Sequence, residues 1–355
     1  MGNEDATANR NSQGKGGPPK PAVAARQGGF GEIAVEIPVV LMGRVAAEAF
    51  QSEPVWEVCA VFTRSFYCKS SEGSLVCVGP QGLGAGPLNA LCLMPEVMRW
   101  DAGHLKPGAP AVCDGSILCV AGGFAFTLTE AAVWRPTCPV PPWSKAMLAK
   151  GLARLADAVR AWPPRGGLHG LVPGLIWPSR RELIPDTPLV RMALPGIARL
   201  GRWLEESLAD PLCGSPAPFP EAEILIGLGP GLTPSGDDFV GGVLVALHAF
   251  GYSALANRLA ADVLPRAGRR TNAISVAHLA CAAGGEGSAA LHDVLVALLV
   301  PGAPDLPRCL RSIDAIGHTS GWDALAGATL TLATVAQSYR TAPRSDPGRE
   351  IHGAG

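Results

Sequence analysis

The chain has 355 residues, of which 48% are hydrophobic and 17% charged, and its formal net charge is -1. A chain of this length can bury a core without metal or disulfide staples, and its near-neutral charge excludes a general nucleic-acid-binding surface. The longest apolar run, residues 239–251, is shorter than a bilayer span, and the amino terminus lacks the apolar segment of a signal peptide. We therefore predict a cytoplasmic protein that acts on neither membranes nor nucleic acids.

Both ends of the chain are polar. Residues 1–29 are rich in glycine, proline and asparagine, residues 339–355 are similar, and neither segment has a periodic apolar pattern. Such segments cannot bury enough apolar surface to offset the entropy lost on ordering. We predict a disordered N-terminal extension and a disordered tail.

Residues 30–135 have the pattern of a β-rich domain. Short runs rich in Val, Ile, Phe and Cys alternate with clusters of Gly, Pro and Ser, which is typical of an antiparallel sheet or a small barrel. A short helix is expected at residues 45–50. The predicted strands cover residues 35–41, 56–62, 75–78, 88–94, 111–120 and 124–128.

A proline-rich linker and a helical domain follow. Residues 136–143 hold four prolines, which forbid a helix interior or a central strand. From residue 144 to 338 the apolar residues recur at intervals of three and four, as in amphipathic helices. We therefore predict an α+β protein in which a mainly α-helical domain follows the β-rich one. The predicted helices cover residues 144–162, 194–208, 239–247, 254–264, 273–283, 290–299 and 324–338.

The most informative segment is a glycine-rich loop inside the helical domain. Residues 227–238 read GLGPGLTPSGDD and lead from an apolar run into an apolar helix. Glycines let main-chain N–H groups approach an anion closely, and the start of a helix carries the positive end of its dipole. The spacing is that of neither a Walker A loop nor a dinucleotide-binding loop. It predicts a loop that could hold phosphate or carboxylate.

Asp237 and Asp238 lie at the start of the helix that follows this loop. Two carboxylates would repel a bound phosphate unless a cation lay between them, and Mg²⁺ is usually held by carboxylates together with phosphate oxygens. Alternatively, one aspartate orients or deprotonates an N–H group or a water. A structural interpretation also stays open, in which Ser235 or Asp237 caps the helix and the neighbouring carboxylate complements its dipole.

Two more clusters place polar side chains near helix starts. Residues 269–275 read RRTNAIS, and the guanidinium groups of Arg269 and Arg270 suit carboxylate or phosphate. Residues 317–323 read GHTSGWD, and His318 could donate to a substrate or move a proton. The alternatives are a solvated basic turn and a histidine that is only structural. The glycine-rich residues 79–87 favour a hairpin loop.

Together the three motifs resemble a known signature. The sequence GLGPGLTPSGDDF, followed by Gly241 and Gly242, is similar to that of a bacterial family of unknown function that includes the AllH subunit of oxamate carbamoyltransferase from anaerobic allantoin degradation. The Arg-Thr-x-x-Ile-Ser pattern at 270–275 and the Gly-His-Thr-Ser-Gly-x-Asp turn at 317–323 match in the expected order. The resemblance covers roughly residues 30–335.

This resemblance implies a transferase component of purine nitrogen catabolism. Such a subunit would act with two other, unrelated subunits to convert oxalurate and phosphate, both small anions, into oxamate and carbamoyl phosphate. We expect Asp237, Asp238 and His318 to be catalytic, with the two aspartates also holding Mg²⁺. Substrate and phosphate would be bound by Gly229, Gly231, Thr233, Ser235, Gly236, Arg269, Arg270, Thr271, Ser275 and Ser320.

Two other functions are compatible with the same residues. One is a self-contained Mg²⁺-dependent enzyme of phosphoryl transfer or hydrolysis, which would be active as an isolated chain. The other is a non-catalytic assembly subunit, in which the glycines only permit tight packing of helices.

Overall fold

The computed structural model describes residues 35–94, 99–103, 105–137, 140, 142–163, 165–209, 218–300 and 305–338. The predicted α+β class is confirmed, because a β-barrel at residues 35–134 precedes a helical region. The predicted N-terminal extension and tail lie outside the described residues, and so do parts of the predicted proline-rich linker.

The barrel is built from short strands, one of which is buried along its whole length and others of which bury alternate side chains. In β3, for example, Phe66, Cys68 and Ser70 are buried, whereas Tyr67 is partly exposed and Lys69 is exposed. β1 pairs with both β5 and β8, so eight strands form a closed ring, and β9 is added in parallel beside β1. The strands of the described part are β1 (Val35–Gly43), β2 (Val55–Val61), β3 (Phe66–Ser70), β4 (Leu75–Pro80), β5 (Asn89–Cys92), β6 (Pro110–Cys113), β7 (Ile117–Val120), β8 (Phe124–Thr127) and β9 (Ala132–Trp134), and α1 (Arg44–Ser52) follows β1.

The structure differs from the predicted strands in three ways. The single strand expected at 111–120 is two strands, because the chain turns at Gly115, whose φ is 85°. β3 and β9 were not predicted, since five and three residues are too few for a clear alternating pattern. The expected hairpin at 79–87 is wrong, because β4 and β5, which this segment joins, run parallel.

The helical region packs around α5, most of whose residues are buried. Its apolar core extends from Val140 to Val335 and is separate from the barrel core, which extends from Ile37 to Leu128. All seven predicted helices are present, while α3 and α9 were not predicted. The described helices of this region are α2 (Lys145–Arg160), α3 (Val172–Ile176), α4 (Pro188–Ala209), α5 (Ser235–Ala249), α6 (Ser253–Arg270), α7 (Ala273–Ala283), α8 (Ala289–Leu299), α9 (Leu306–Asp314) and α10 (Ser320–Ser338).

The barrel and the helical region touch through polar contacts around α7 and α8. The N–H of Ala289 at the start of α8 donates to the carbonyl of Ala85 over 2.8 Å. The guanidinium of Arg44 forms an ion pair with Glu286, with an Nε to Oε1 distance of 2.6 Å. Tyr67 of β3 contacts His278 of α7. The face of the barrel that carries these residues is therefore held against the helices that follow α5.

Every helix in the described part of the chain is too short or too polar to cross a membrane.

Candidate functional site

The glycine loop, residues 227–234, connects the buried residues Leu225 and Ile226 to the start of α5. Gly227, Gly229 and Gly231 have φ values of 78°, 115° and 93°, a region that favours glycine. The loop is held down at Gly236, whose N–H donates to the carbonyl of Leu228 over 2.8 Å. The sequence thus places glycine where the backbone must turn sharply.

Several N–H groups of the glycine loop have no partner. Within the described residues, the amides of Gly229, Gly231 and Thr233 donate to no acceptor. Gly231 is also exposed, and the amides lie beside the positive end of the α5 dipole. This arrangement suits an anion, as the sequence predicted.

Asp237 has a different environment from the one expected of a metal ligand. It is 2% exposed, and its Oδ1 accepts a hydrogen bond from the N–H of Gly227 at 2.7 Å. Its Oδ2 accepts from the hydroxyls of Thr271 at 2.5 Å and Ser275 at 2.6 Å. Asp237 therefore ties the glycine loop to the start of α7, and three predicted site residues meet in one network.

Asp238 lies beside this network with one carboxylate oxygen unused. Its Oδ2 is buried and has no hydrogen-bonding partner among the described residues. Burial raises the pKa of Asp238 well above its usual value, and the charges of Asp323 and Asp237 add to this rise. The hydroxyls of Ser320 and Thr233 oppose it, and these two hydroxyls lie 2.7 Å apart. The burial of Asp238 therefore favours its protonated form.

Asp323 completes the group of buried acids, although we did not predict it as a site residue. It is fully buried, and its Oδ1 accepts from the N–H of Leu168 at 2.5 Å, while Oδ2 has no partner among the described residues. Burial raises its pKa to about 6, while the N–H of Leu168 and the nearby hydroxyls of Ser235 and Thr319 oppose this rise. Asp323 is the last residue of the GHTSGWD motif, so this motif could have identified it as a candidate site residue.

A short loop before α3 closes the site behind Asp323. A Cβ atom at Gly167 would lie 2.4 Å from Oδ1 of Asp323, so only glycine fits there, and its φ is 65°. Residues 163–188 carry no motif that points to a site, yet they bring this backbone against the buried acid.

The predicted cationic residues lie outside the buried cluster. Arg269 and Arg270 are exposed at the end of α6, and their guanidinium groups contact no carboxylate among the described residues. The backbone of Arg270 nonetheless adjoins the glycine loop, because a Cβ atom at Gly227 would lie 2.5 Å from its carbonyl oxygen. His318 is exposed in the turn before α10, and the described residues give it no hydrogen bond. The structure thus brings Arg270 to the rim of the site, but it connects neither Arg269 nor His318 with the acids.

The residues present do not fit a Mg²⁺ ion held between Asp237 and Asp238. Both oxygens of Asp237 already accept hydrogen bonds, and Asp238 favours its protonated form. No group of three or more histidine, cysteine, aspartate or glutamate side chains in the described part of the chain could hold a metal ion. Magnesium at this position stays a prediction without geometric support.

Two residues from distant parts of the chain form a contact between the barrel and α7 that was not predicted. The hydroxyl of Tyr67 in β3 lies 3.1 Å from Nε2 of His278 in α7. The charge of Asp238 is one of the causes that raise the pKa of Tyr67, after burial and the neighbouring thiol of Cys77. The two residues are 211 positions apart, so no local pattern could reveal the contact.

The segments that form the glycine-loop site lie in a part of the chain that matches a family model. Residues 225–332 match the family model described as oxamate carbamoyltransferase subunit AllH. The resemblance drawn from the three motifs is thereby confirmed over these residues, a shorter span than the motifs led us to expect. All predicted site residues lie within the AllH match, whereas Tyr67 and Leu168 lie before it. Neither a curated protein nor a solved structure matches the chain.

Proposed function

We propose that this chain is a cytoplasmic subunit of a carbamoyltransferase that acts with two other subunits in purine nitrogen catabolism. The reaction would convert oxalurate and inorganic phosphate into oxamate and carbamoyl phosphate. The observation that carries the proposal is the AllH match at residues 225–332, because it contains the glycine loop and the two other predicted clusters.

The chemistry of this reaction suits the groups at the site. A phosphate oxygen bonds to the carbamoyl carbon, the bond from that carbon to the oxamate nitrogen breaks, and this nitrogen takes up a proton as the phosphate loses one. The free amides of the glycine loop would hold an anionic group, and Arg269 and Arg270 would attract it to the rim. His318 would polarise the carbamoyl carbonyl.

Asp238 is the residue that we assign to proton transfer. Burial raises the pKa of this carboxyl group and favours its protonated form, so it would protonate the leaving nitrogen and recover a proton from phosphate. Asp237 would position the glycine loop, since both of its oxygens are engaged by the protein itself.

One observation favours a second candidate, a non-catalytic assembly subunit. A Cβ atom at Gly242 would lie 1.9 Å from the carbonyl oxygen of Ala324, and one at Gly327 would lie 1.8 Å from that of Phe239. These glycines thus serve close packing of α5 on α10. Packing does not account for the free amides of the glycine loop, which is why the enzyme subunit is our first proposal.

The test is to purify the tagged chain from its native cell, identify the proteins that accompany it by mass spectrometry, and assay phosphate-dependent breakdown of oxalurate. Two stoichiometric partners and formation of carbamoyl phosphate are expected. The complex should lose activity when Asp238 is replaced by Asn, and the same assay with a chelator tests the prediction of Mg²⁺. A complex that assembles normally but is inert towards oxalurate would favour the assembly subunit, and a chain that is active alone would contradict both candidates.

A further inference from the structure

A cavity lies where the barrel meets the ends of two helices. Its volume is about 510 Å³, which is within the range of small-molecule sites in proteins. The barrel side contributes Arg44, at the start of α1, and Arg135, which directly follows β9. The helical region contributes His248 near the end of α5, Ser253 at the start of α6, and Glu286 between α7 and α8. A molecule in the cavity therefore contacts both parts of the chain.

This cavity is separate from the glycine-loop site, because the two lie at opposite ends of α5 and α7. At the starts of these helices, the hydroxyl of Ser275 in α7 donates to Asp237 in α5 over 2.6 Å. At their ends, Nε2 of His248 lies 2.8 Å from the carbonyl oxygen of Ala283. Since α5 has 15 residues and a helix rises about 1.5 Å per residue, its two ends are roughly 20 Å apart. A small molecule in the cavity does not reach the glycine loop.

The barrel side of the cavity carries a cation that has no counter-ion in the described part of the chain. Arg135 is exposed, and its guanidinium group forms no ion pair with a carboxylate among the described residues. The other arginine of the cavity, Arg44, is already paired with Glu48 and Glu286. A guanidinium group is a planar fork of N–H donors that matches the two oxygens of a carboxylate. Arg135 therefore suits the carboxylate of a ligand.

The helical side of the cavity offers acceptors for N–H groups. Glu286 is 8% exposed, its Oε1 accepts from Nε of Arg44 over 2.6 Å, and its Oε2 is buried with no hydrogen-bonding partner among the described residues. A buried carboxylate oxygen that lacks a donor is unfavourable, so a donor from a ligand is favoured here. The cavity also adjoins the ends of α5 and α7, where helices carry the negative ends of their dipoles. These features favour an ammonium group beside Glu286.

His248 and Ser253 form a polar part of the cavity wall. Because the carbonyl oxygen of Ala283 can only accept, Nε2 of His248 is the donor in the hydrogen bond between them. In the neutral imidazole, Nδ1 then accepts from the hydroxyl of Ser253 at 3.2 Å. The oxygen of this hydroxyl keeps lone pairs for an N–H group of a ligand. The ring of His248 is therefore a reporter of what binds beside Ser253.

We propose that this cavity is a second ligand-binding site, which takes a small amino acid in its zwitterionic form. The carboxylate of the ligand binds the guanidinium group of Arg135, and its ammonium group donates to Oε2 of Glu286. The cavity carries this assignment because it holds an unpaired cation and an unsatisfied carboxylate oxygen in one space of small-molecule size. The site is independent of the proposed function, and it needs both the barrel and the helical region.

The first test measures the binding of three amino acids to the full chain by ligand-observed NMR titration. Free glycine, β-alanine and γ-aminobutyrate carry the same two charged groups at increasing separations, and at least one of them should bind. Its affinity should exceed about ten-fold that of the matched carboxylate (acetate, propionate or butyrate) and of the matched amine (methylamine, ethylamine or propylamine), because each analogue loses one charged hydrogen bond. Binding of none of the three, or equal binding of either analogue, would overturn the proposal.

Variants at the two ends of the cavity test the assigned contacts. Arg135→Gln should weaken binding of the amino acid about ten-fold and leave its amine analogue unaffected. Arg202→Gln is the matched control, since it removes an exposed guanidinium group of α4 that does not line the cavity. Glu286→Gln should weaken the amino acid but not its carboxylate analogue. If Glu286→Gln fails to fold, the exposed Arg135 still decides, because equal affinities of wild type and Arg135→Gln would contradict the site.

A spectroscopic measurement separates the cavity from the glycine loop. In the full chain labelled with ¹⁵N-histidine, the amino acid should shift the ring signals of His248 and leave those of His318, in the turn before α10, unchanged. The signals are assigned from His248→Gln and His318→Gln, and a shift of His318 alone would overturn the proposal. Inorganic phosphate is the reciprocal probe, which should shift His318 only. If phosphate shifts neither histidine while the amino acid shifts His248, the anion site of the proposed function fails and the cavity site stands.

Discussion

Asp237 shows how one buried carboxylate can organise a loop from a distance in sequence. It receives one backbone N–H and two hydroxyl groups, and these donors come from the glycine loop, from the residue after α6 and from α7. Hydrogen bonds to a charged acceptor are stronger than neutral ones. The loop conformation that leaves its amides free thus depends on this side chain.

The contribution of Asp237 to folding can be measured directly. Asp237→Asn removes the charge and forces the hydroxyls of Thr271 and Ser275 to accept instead of donate, so it should lower the free energy of unfolding by about 2 kcal/mol. Urea denaturation gives this value. Asp157→Asn is the control, since that side chain is 71% exposed and its contact with Arg160 is 4.0 Å long. An unchanged stability of Asp237→Asn would contradict the organising role.

The raised pKa of Asp323 predicts how the stability of the chain depends on pH. Its pKa is about 6 in the folded chain and 3.8 in the absence of the fold, so the folded chain holds the proton more tightly. Its contribution to stability is therefore fully present below the lower pKa and is lost as pH rises through about 6. Asp323→Asn cannot ionise and should become more stable relative to wild type as pH rises from about 4 to 7, by up to about 3 kcal/mol. Denaturant titrations across this range would contradict the assignment if the two stability curves ran parallel.

At the scale of elements, the crossing of α5 and α10 brings the predicted clusters together. Gly242 of α5 faces the backbone of Ala324, and Gly327 of α10 faces that of Phe239. Because neither glycine has a Cβ atom, the two backbones touch. The start of α10, with Ser320, is thereby placed beside Thr233 of the glycine loop.

A single added methyl group should disturb this crossing. Gly242→Ala places a Cβ atom 1.9 Å from a carbonyl oxygen of α10, so the helices must separate, and we expect a loss of about 3 kcal/mol or failure to fold. Gly268→Ala is the matched control in α6, where a Cβ atom would meet no atom within 4 Å. The control should gain about 0.5–1 kcal/mol, because alanine favours a helix more than glycine does. Similar melting temperatures for the two variants would contradict the tight crossing.

At the scale of the whole molecule, an ion pair joins the barrel to the helical region. Arg44 begins α1, directly after β1, and Glu286 lies between α7 and α8 with its side chain 10% exposed. Both Nε and Nη2 of Arg44 donate to Oε1 of Glu286. The pair holds the barrel face that carries Tyr67 near α7.

Removing one partner of this ion pair should lower the free energy of unfolding more than removing both partners. Arg44→Leu leaves the Glu286 charge buried and unpaired, so we expect a loss of about 2–3 kcal/mol, and adding Glu286→Leu should recover part of it. Arg160→Leu, which removes an exposed partner of Asp157, should change stability by less than about 0.5 kcal/mol. A double-mutant cycle from urea denaturation checks this, and additive losses would mean that the two charges do not interact.

The glycine loop, the acids of α5, the start of α7 and most of the helices could be predicted from the sequence, because each rests on a local pattern. The β-rich class was also predictable, since short runs of Val, Ile, Phe and Cys are separated by clusters of Gly, Pro and Ser. The sequence could not reveal that β4 and β5 run parallel or that both oxygens of Asp237 accept hydrogen bonds. Nor could it reveal that the backbone of residues 166–168 lies against Asp323. Each of these depends on chain segments that are far apart in sequence.

The sequence by itself therefore determined the α+β class and the family resemblance carried by the three motifs, because spacing and glycine content act within a few residues. Anion binding by the glycine loop stays a prediction. Only the tertiary structure decided which carboxyl groups are free and which are used. Packing of α5 on α10 buries Asp238 and Asp323, and burial raises the pKa of both carboxyl groups. Closure of the barrel against α7 likewise brings Tyr67 to His278, since burial and proximity are properties of the folded chain and not of its local sequence.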